Sequence, residues 1–377
     1  MISHLYIVGV SALVATAVQA SIIQNKPRDG VIALDMQFDS NSQDLIKRQV
    51  GEHDYSFPGT SLPKLVLPVG SNKDEVQLFV DTGSWLTQVP DVATNCAKCL
   101  LPDGKLGLYD ANKSTTAVKT GQSLKSTFGS TAYFYGEGVI DDIWFDPDFK
   151  IPGTLFNDVH DIGSSWPYGI LGLAKPPKGS ENENIVWNAY KAGLINKPIF
   201  AITQRNESAT SLQLFLGGYS KSQLIEDYTW TSINNENFAG HIDFVDINGT
   251  KVIINETVTF DTGNYQAGVT QEIFDALLAS FPDDPNNARG SNKIDYNLIK
   301  DKTMTVSIYG KSYNVPLIAF IEPDCKSQHC NIWIHVSAWN WGSGFNRFLN
   351  LALNYDNGSY IGIAGWKPSN TNDIVSF

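Results

Sequence analysis

The tripeptide Asp-Thr-Gly occurs twice, at Asp81-Thr82-Gly83 and Asp261-Thr262-Gly263, about half a chain apart and each time at the end of a short β-prone run. Val76-Gln77-Leu78-Phe79-Val80 leads into the first copy and Glu256-Thr257-Val258-Thr259-Phe260 into the second. Both runs alternate or are β-branched, so they read as strands, and each Asp opens a turn at a strand end. One such tripeptide carries little weight. Two in equivalent settings point to two halves of similar fold. A chain of 377 residues has room for them, because single cores stop growing at roughly 250–300 residues.

The rest of the chain reads as mostly β, in short runs broken by Gly, Pro, Asn and Asp from about residue 54 onward. Two helices are expected: 184–192, ending at Gly193, and 271–280, opened by Thr270 and stopped before Pro282. A polar stretch from Ser232 to Asn237 separates the halves, giving an N-terminal lobe over 49–235 and a C-terminal lobe over 236–377. With 39 acidic against 27 basic side chains the formal charge is −12. Phosphate binding needs basic patches and none is visible, so no nucleic-acid partner is expected. After the N-terminus no apolar run reaches the length of about 18 residues that a membrane span needs.

Residues 1–20 hold an apolar stretch, Leu5 to Val18, with small residues Val18 and Ala20 where a signal peptidase reads. A secretory signal is expected there, although Lys and Arg are absent from its start. Residues 21–48 read as a pro-segment ending in the dibasic pair Lys47-Arg48. Five Asn-x-Ser/Thr acceptors, at Asn112, Asn206, Asn248, Asn255 and Asn357, fit export and glycosylation. The four cysteines form two local pairs, Cys96 with Cys99 and Cys325 with Cys330, the favoured one of three possible connectivities in an oxidising compartment. The expected destination is extracellular or vacuolar.

If the halves pack about an approximate two-fold axis, Asp81 and Asp261 meet there. Like charges in a partly desolvated cleft repel, so such a pair shares one proton and offers an acid and a base at once. The ionised member can take a proton from water while the other donates to a carbonyl oxygen. Gly83 and Gly263 permit tight backbone geometry. The hydroxyls of Thr82 and Thr262 can cross-bond the two loops, and Ser84 can donate to Asp81.

On these residues the chain resembles the pepsin-like aspartic proteases over most of 55–366. Asp81-Thr82-Gly83-Ser84, closing at Val89-Pro90, is similar to the family's first catalytic loop. Tyr135-Gly136-Glu137-Gly138 resembles the tip of its flap hairpin, and Tyr168-Gly169-Ile170-Leu171-Gly172 its crossing segment behind the first loop. Asp261-Thr262-Gly263, with a degraded crossing segment around Trp341-Gly342, completes the set. The resemblance implies a bilobal, pseudo-two-fold, all-β acid protease, made as a zymogen, monomeric and without metal or organic cofactor. It would hydrolyse a peptide or protein substrate through Asp81 and Asp261, with Tyr135, Gly136 and Glu137 closing over it. Glu137 would bias the cleft toward basic side chains, and Lys26 or Arg28 would cap the carboxylates before processing.

The sequence departs from the family at three places. Asn264 follows the second motif where Ser or Thr is usual, so an amide takes the hydroxyl's place as donor to Asp261. Gln88 stands where a Trp commonly supports the flap, with Trp85 nearby, and Asn340-Trp341-Gly342-Ser343 replaces an aliphatic crossing pair. The alternative is therefore a catalytically impaired member that binds peptides or proteins in its cleft. Other classes fit less well. A zinc cluster of Cys96, Cys99, Cys325, Cys330 and His329 has arbitrary spacing. There is no Gly-x-Ser-x-Gly elbow, Tyr135-Gly136-Glu137-Gly138 is incomplete as a nucleotide loop, and a glycosidase needs carboxylates set about 5–9.5 Å apart.

Overall fold

The computed structural model describes residues 30–36, 46–49, 54–57, 62–128, 132–146, 149–163, 168–177, 179, 184–206, 212–233, 238–264, 266–282, 284, 293–322, 325, 327–336, 340–356, 360–369, 371 and 373–377. The expected signal, Lys26, Arg28, Asn357 and the expected lobe boundary at 235/236 lie outside the described residues.

Each half is built on a seven-stranded sheet. In the first the strand order is Lys64–Val69, Asp74–Asp81, Gly169–Gly172, Gln88–Pro90, Phe149–Ile162, Ala132–Asp146, Val118–Phe128. In the second it is Lys311–Pro316, Thr303–Ile308, Ala239–Ile247, Thr250–Asp261, Asn340–Gly342, Ala267–Val269, Ile334–Val336. The Asp-bearing strand sits inside each sheet, and in the first half it is buried on both faces: Val76, Leu78 and Val80 point into the main core and Phe79 into a second apolar cluster.

A third, six-stranded sheet joins the halves. Its order is Ile32–Asp35, Leu212–Leu216, Ile199–Gln204, Leu349–Asn354, Tyr360–Gly365, Thr229–Ser232, so strands from both ends of the chain interleave. Such a sheet fixes the relative position of the two Asp strands. The expected helices form at Ile185–Lys191, capped by Asn184, and at Gln271–Ala279, where the Thr270 hydroxyl accepts from the Ile273 amide. Both local disulfides, Cys96–Cys99 and Cys325–Cys330, are formed, which removes these cysteines as zinc ligands. Among the described residues no helix is long and apolar enough to cross a membrane.

Part of the expected pro-segment is built into this frame. Ile32–Asp35 is the edge strand of the six-stranded sheet, antiparallel to Leu212–Leu216, and Ile32 (2% exposed) and Met36 (4%) belong to the main core. Lys47 and Arg48 lie in Ile46–Gln49, which among the described residues pairs only with Asp54–Phe57. A lone two-stranded ribbon is marginally stable, so the dibasic pair sits in the more easily opened part of the segment. Ile32→Ala should cost the unprocessed chain about 2–5 kcal/mol, read by urea unfolding. An unchanged midpoint would show that this strand does not hold the sheet.

Candidate active site

Both Asp turns are pinned from behind by a crossing strand running parallel to the strand that ends in Asp. Gly169–Gly172 aligns Gly172 with Asp81, and Asn340–Gly342 aligns Gly342 with Asp261. In the first half the Leu173 amide donates to Asp81 O at 2.8 Å and the Ala174 amide to Ser84 O at 2.9 Å. In the second the Gly342 amide donates to Gln266 O at 3.0 Å and the Ser343 amide to Asn264 O at 2.7 Å. The degraded segment around Trp341 therefore does the work expected of it. Its aromatic side chain is fully buried, with ring centroids 4.2 Å from Phe345 and 6.2 Å from Phe260.

The two turns are locked together by reciprocal hydrogen bonds. The Thr82 amide donates to Thr262 Oγ1 at 3.1 Å, and the Thr262 amide to Thr82 Oγ1 at 3.0 Å. Each hydroxyl then donates across the interface, Thr82 to Phe260 O at 2.5 Å and Thr262 to Val80 O at 2.7 Å. All four groups are buried, where an unmet hydrogen bond would cost about 1–3 kcal/mol. The glycines let the turns close. A Cβ on Gly83 would lie 2.7 Å from the Asp261 carboxyl carbon, and one on Gly263 would lie 2.4 Å from Asp81 Oδ1.

The outcome is a pair of carboxyls that face one another, each beside the glycine of the opposite turn and close enough for the charge of Asp261 to act on Asp81. Each inner oxygen Oδ1 accepts from the amide of its own Gly, Gly83 to Asp81 and Gly263 to Asp261, both at 2.8 Å. Asp81 is 4% exposed. Burial, then the charge of Asp261 and the bond to it, hold Asp81 well above the usual carboxylate range, against the opposing bonds from Ser84 and Gly83. Ser84 Oγ reaches Asp81 Oδ2 at 2.5 Å, as expected. The pair can hold one proton between an acid and a base.

The Asn264 side chain does not donate to the Asp261 carboxyl. Its Nδ2 turns to Gln266 O at 3.1 Å, and the matching bond comes from Asn340, whose Nδ2 reaches Asp261 Oδ2 at 2.7 Å. Register explains the substitution: Asn340 precedes Gly342 as Ile170 precedes Gly172, and both point to the carboxyl side of their sheets. A polar residue at a place that is apolar in the other half was the available sequence signal.

The hairpin over the first lobe also differs from expectation. It closes between Phe128 and Ala132, and Tyr135 lies farther down the returning strand, opposite Lys125 and Asp161, 45% exposed. Gly136 serves packing: a Cβ there would lie 1.9 Å from Asp158 O on the neighbouring strand. Glu137 is paired with Ser123 and Asp158. Tyr135-Gly136-Glu137 is therefore not the tip. Phe128 is the aromatic next to it, packed edge-on to Phe134 at 5.6 Å and against a cluster of Leu62, Phe79, Tyr168, Ile170 and Trp333. Gln88 steadies this hairpin by donating to Ser126 Oγ at 2.8 Å while accepting from Asn157 Nδ2 at 2.6 Å.

Comparison with known proteins agrees with this geometry. The family model for eukaryotic aspartyl protease matches residues 66–364. Candida albicans relatives include secreted aspartic protease 1, 24% identical with 97% of this chain and 98% of the relative covered. Secreted aspartic protease 3 is 22% identical, with 82% and 81% covered, and secreted aspartic protease 8 is 25% identical, with 82% and 76% covered.

Removing the Asn340 amide should act through Asp261. In Asn340→Leu the lost charge-assisted bond, worth about 1.5–3 kcal/mol, should lower kcat/KM by about ten- to a hundredfold. Asn264→Ala should leave kcat/KM close to the parent value. The opposite pattern in the two variants would return the donor role to Asn264.

Proposed function

We propose that this chain, which belongs to the eukaryotic aspartyl protease family, is a secreted endopeptidase that hydrolyses peptide bonds at acidic pH through Asp81 and Asp261. The observation that carries the reading is the meeting of a buried Asp81 and a half-buried Asp261 at two turns cross-locked by Thr82 and Thr262.

In this mechanism a water lies between the two carboxyls. The ionised member removes its proton as the water oxygen attacks the scissile carbonyl, and the protonated member donates to the carbonyl oxygen, giving a neutral tetrahedral diol. Transfer of a proton to the amide nitrogen then breaks the C–N bond and returns the single proton to the pair. The substrate lies extended, with backbone hydrogen bonds to the cleft walls. Phe79 is two residues before Asp81 on one strand and Ile170 is its neighbour in register; both are buried beneath the hairpin's Phe128, so the packing next to the carboxyls is apolar. Apolar side chains near the scissile bond suit that setting better than the basic ones expected from Glu137. The Asn264 substitution that favoured a purely binding role is offset by the bond from Asn340.

Asp81→Asn or Asp261→Asn should lower cleavage of denatured protein at pH 3–5 by about 10²–10⁴-fold or more, and a statine-type mimic should block the parent. Because the Asp81 pKa is raised, activity should fall as pH rises through it and the acid is lost. The same shift makes the folded state bind more protons than the unfolded one above about pH 4, so parent stability falls as pH rises. Asp81→Asn, which cannot ionise, should gain stability over the parent toward neutral pH. Near-normal turnover by either variant rejects the dyad, and a parent inert throughout pH 3–5 favours the binding role.

Export adds a second expectation. The signal over 1–20, cleavage after Arg48 and glycans on Asn112, Asn206, Asn248 and Asn255 fit one secreted precursor; Asn112, Asn248 and Asn255 are exposed in turns or on a strand. N-terminal sequencing of the secreted product should begin at Gln49, and an N-glycosidase should lower its mass. An N-terminus elsewhere or an unchanged mass would remove the corresponding step.

A further inference from the structure

Away from the catalytic carboxyls, Asp91, Asp158 and His160 bring one ligand atom each to within 4.8 Å of one another. The fold makes this convergence from two adjacent parallel strands. Asp91 directly follows Gln88–Pro90, and its amide donates to Val159 O at 3.0 Å. Asp158 and His160 flank Val159 on Phe149–Ile162, so strand alternation puts both side chains on one face.

The environment is unusual for two acids. Asp91 is buried, Asp158 is 1% exposed, and only His160, at 41%, opens to solvent. Asp91 Oδ1 accepts from the Ala93 amide at 2.6 Å, and His160 Nε2 lies 3.4 Å from Asp158 Oδ2. Asp158 Oδ1 is buried and has no hydrogen-bond partner among the described residues. The nearby cation is Lys119, whose ammonium is bonded to Asn112 Oδ1 at 2.9 Å. An orphaned buried carboxylate oxygen is costly. A divalent cation would satisfy it and offset both charges.

We propose that Asp91, Asp158 and His160 form a divalent-cation site, best matched to zinc, with solvent on the His160 side completing the coordination. One imidazole nitrogen and two carboxylate oxygens are a zinc-type ligand set, and a pure oxygen set for calcium is absent. Bound there, the ion ties the strand leaving the first catalytic loop to the strand beneath the hairpin. The ligands are split across the sequence, so no spacing motif announces them. The inference stands apart from the proteolytic reading, because its test requires no turnover.

The experiment uses tag-free, chelator-treated full-length protein carrying Asp81→Asn, titrated with zinc chloride at pH 7.5 by calorimetry and followed by thermal unfolding. One equivalent should bind with micromolar or tighter affinity and raise Tm by several degrees. His160→Ala, at an exposed position, should weaken binding at least tenfold and abolish the Tm rise, as should Asp158→Asn if it folds. No binding to the His160-intact protein would overturn the site and leave a proton-sharing acid pair. Undiminished binding in His160→Ala would overturn it equally.

Discussion

The reciprocal hydrogen bonds between Thr82 and Thr262 are the constraint on which the rest depends. Each threonine amide and hydroxyl is satisfied only by the opposite turn. Separating the turns would strand four buried polar groups, so the two strands that end in Asp have to meet end to end. The shared six-stranded sheet keeps the lobes in the orientation that this meeting requires. Local turn chemistry and lobe packing thus enforce one arrangement, and the close carboxyl contact follows from it.

That contact makes the two halves alike in backbone and unlike in electrostatics. Each Asp receives its own Gly amide on Oδ1. The outer oxygens differ: Asp81 has the Ser84 hydroxyl, whereas Asp261 has the Asn340 amide from the crossing strand. A hydroxyl can donate or accept, while an amide offers its donor and acceptor on different atoms. Here the donor is used and Asn340 Oδ1 is left buried without a partner among the described residues. The second lobe therefore supports its carboxyl by a different route at the cost of one unmet acceptor. The fully buried Trp341 beside it shows how the lobe rebuilt its packing around that route.

The N-terminal segment shows a similar economy of position. Ile32–Asp35 contributes an edge strand and buried apolar side chains, while Lys47 and Arg48 lie in a ribbon outside the large sheets. An unpaired edge at Leu212–Leu216 would present open backbone groups, and this strand covers them. The cysteines work locally too, each pair closing a short loop.

Two Asp-Thr-Gly turns at strand ends, the alternation that makes those strands, the helix capped by Thr270 and the local cysteine pairs were legible from residue order, because each depends on neighbours in the chain. Three features were not. The donor to Asp261 moved from Asn264 to Asn340, because that choice depends on which side chain a parallel strand brings into reach. The hairpin tip lies between Phe128 and Ala132, because register is set by pairing along two long strands and a bulge after Tyr135, and Tyr135-Gly136 satisfies a local pattern without marking the turn. The grouping of Asp91 with Asp158 and His160 exists only where two parallel strands run side by side. Sequence determined the chemical groups and their local geometry; tertiary structure decided which distant groups meet, because hydrogen-bond reach is a few ångströms and only packing brings remote segments within it.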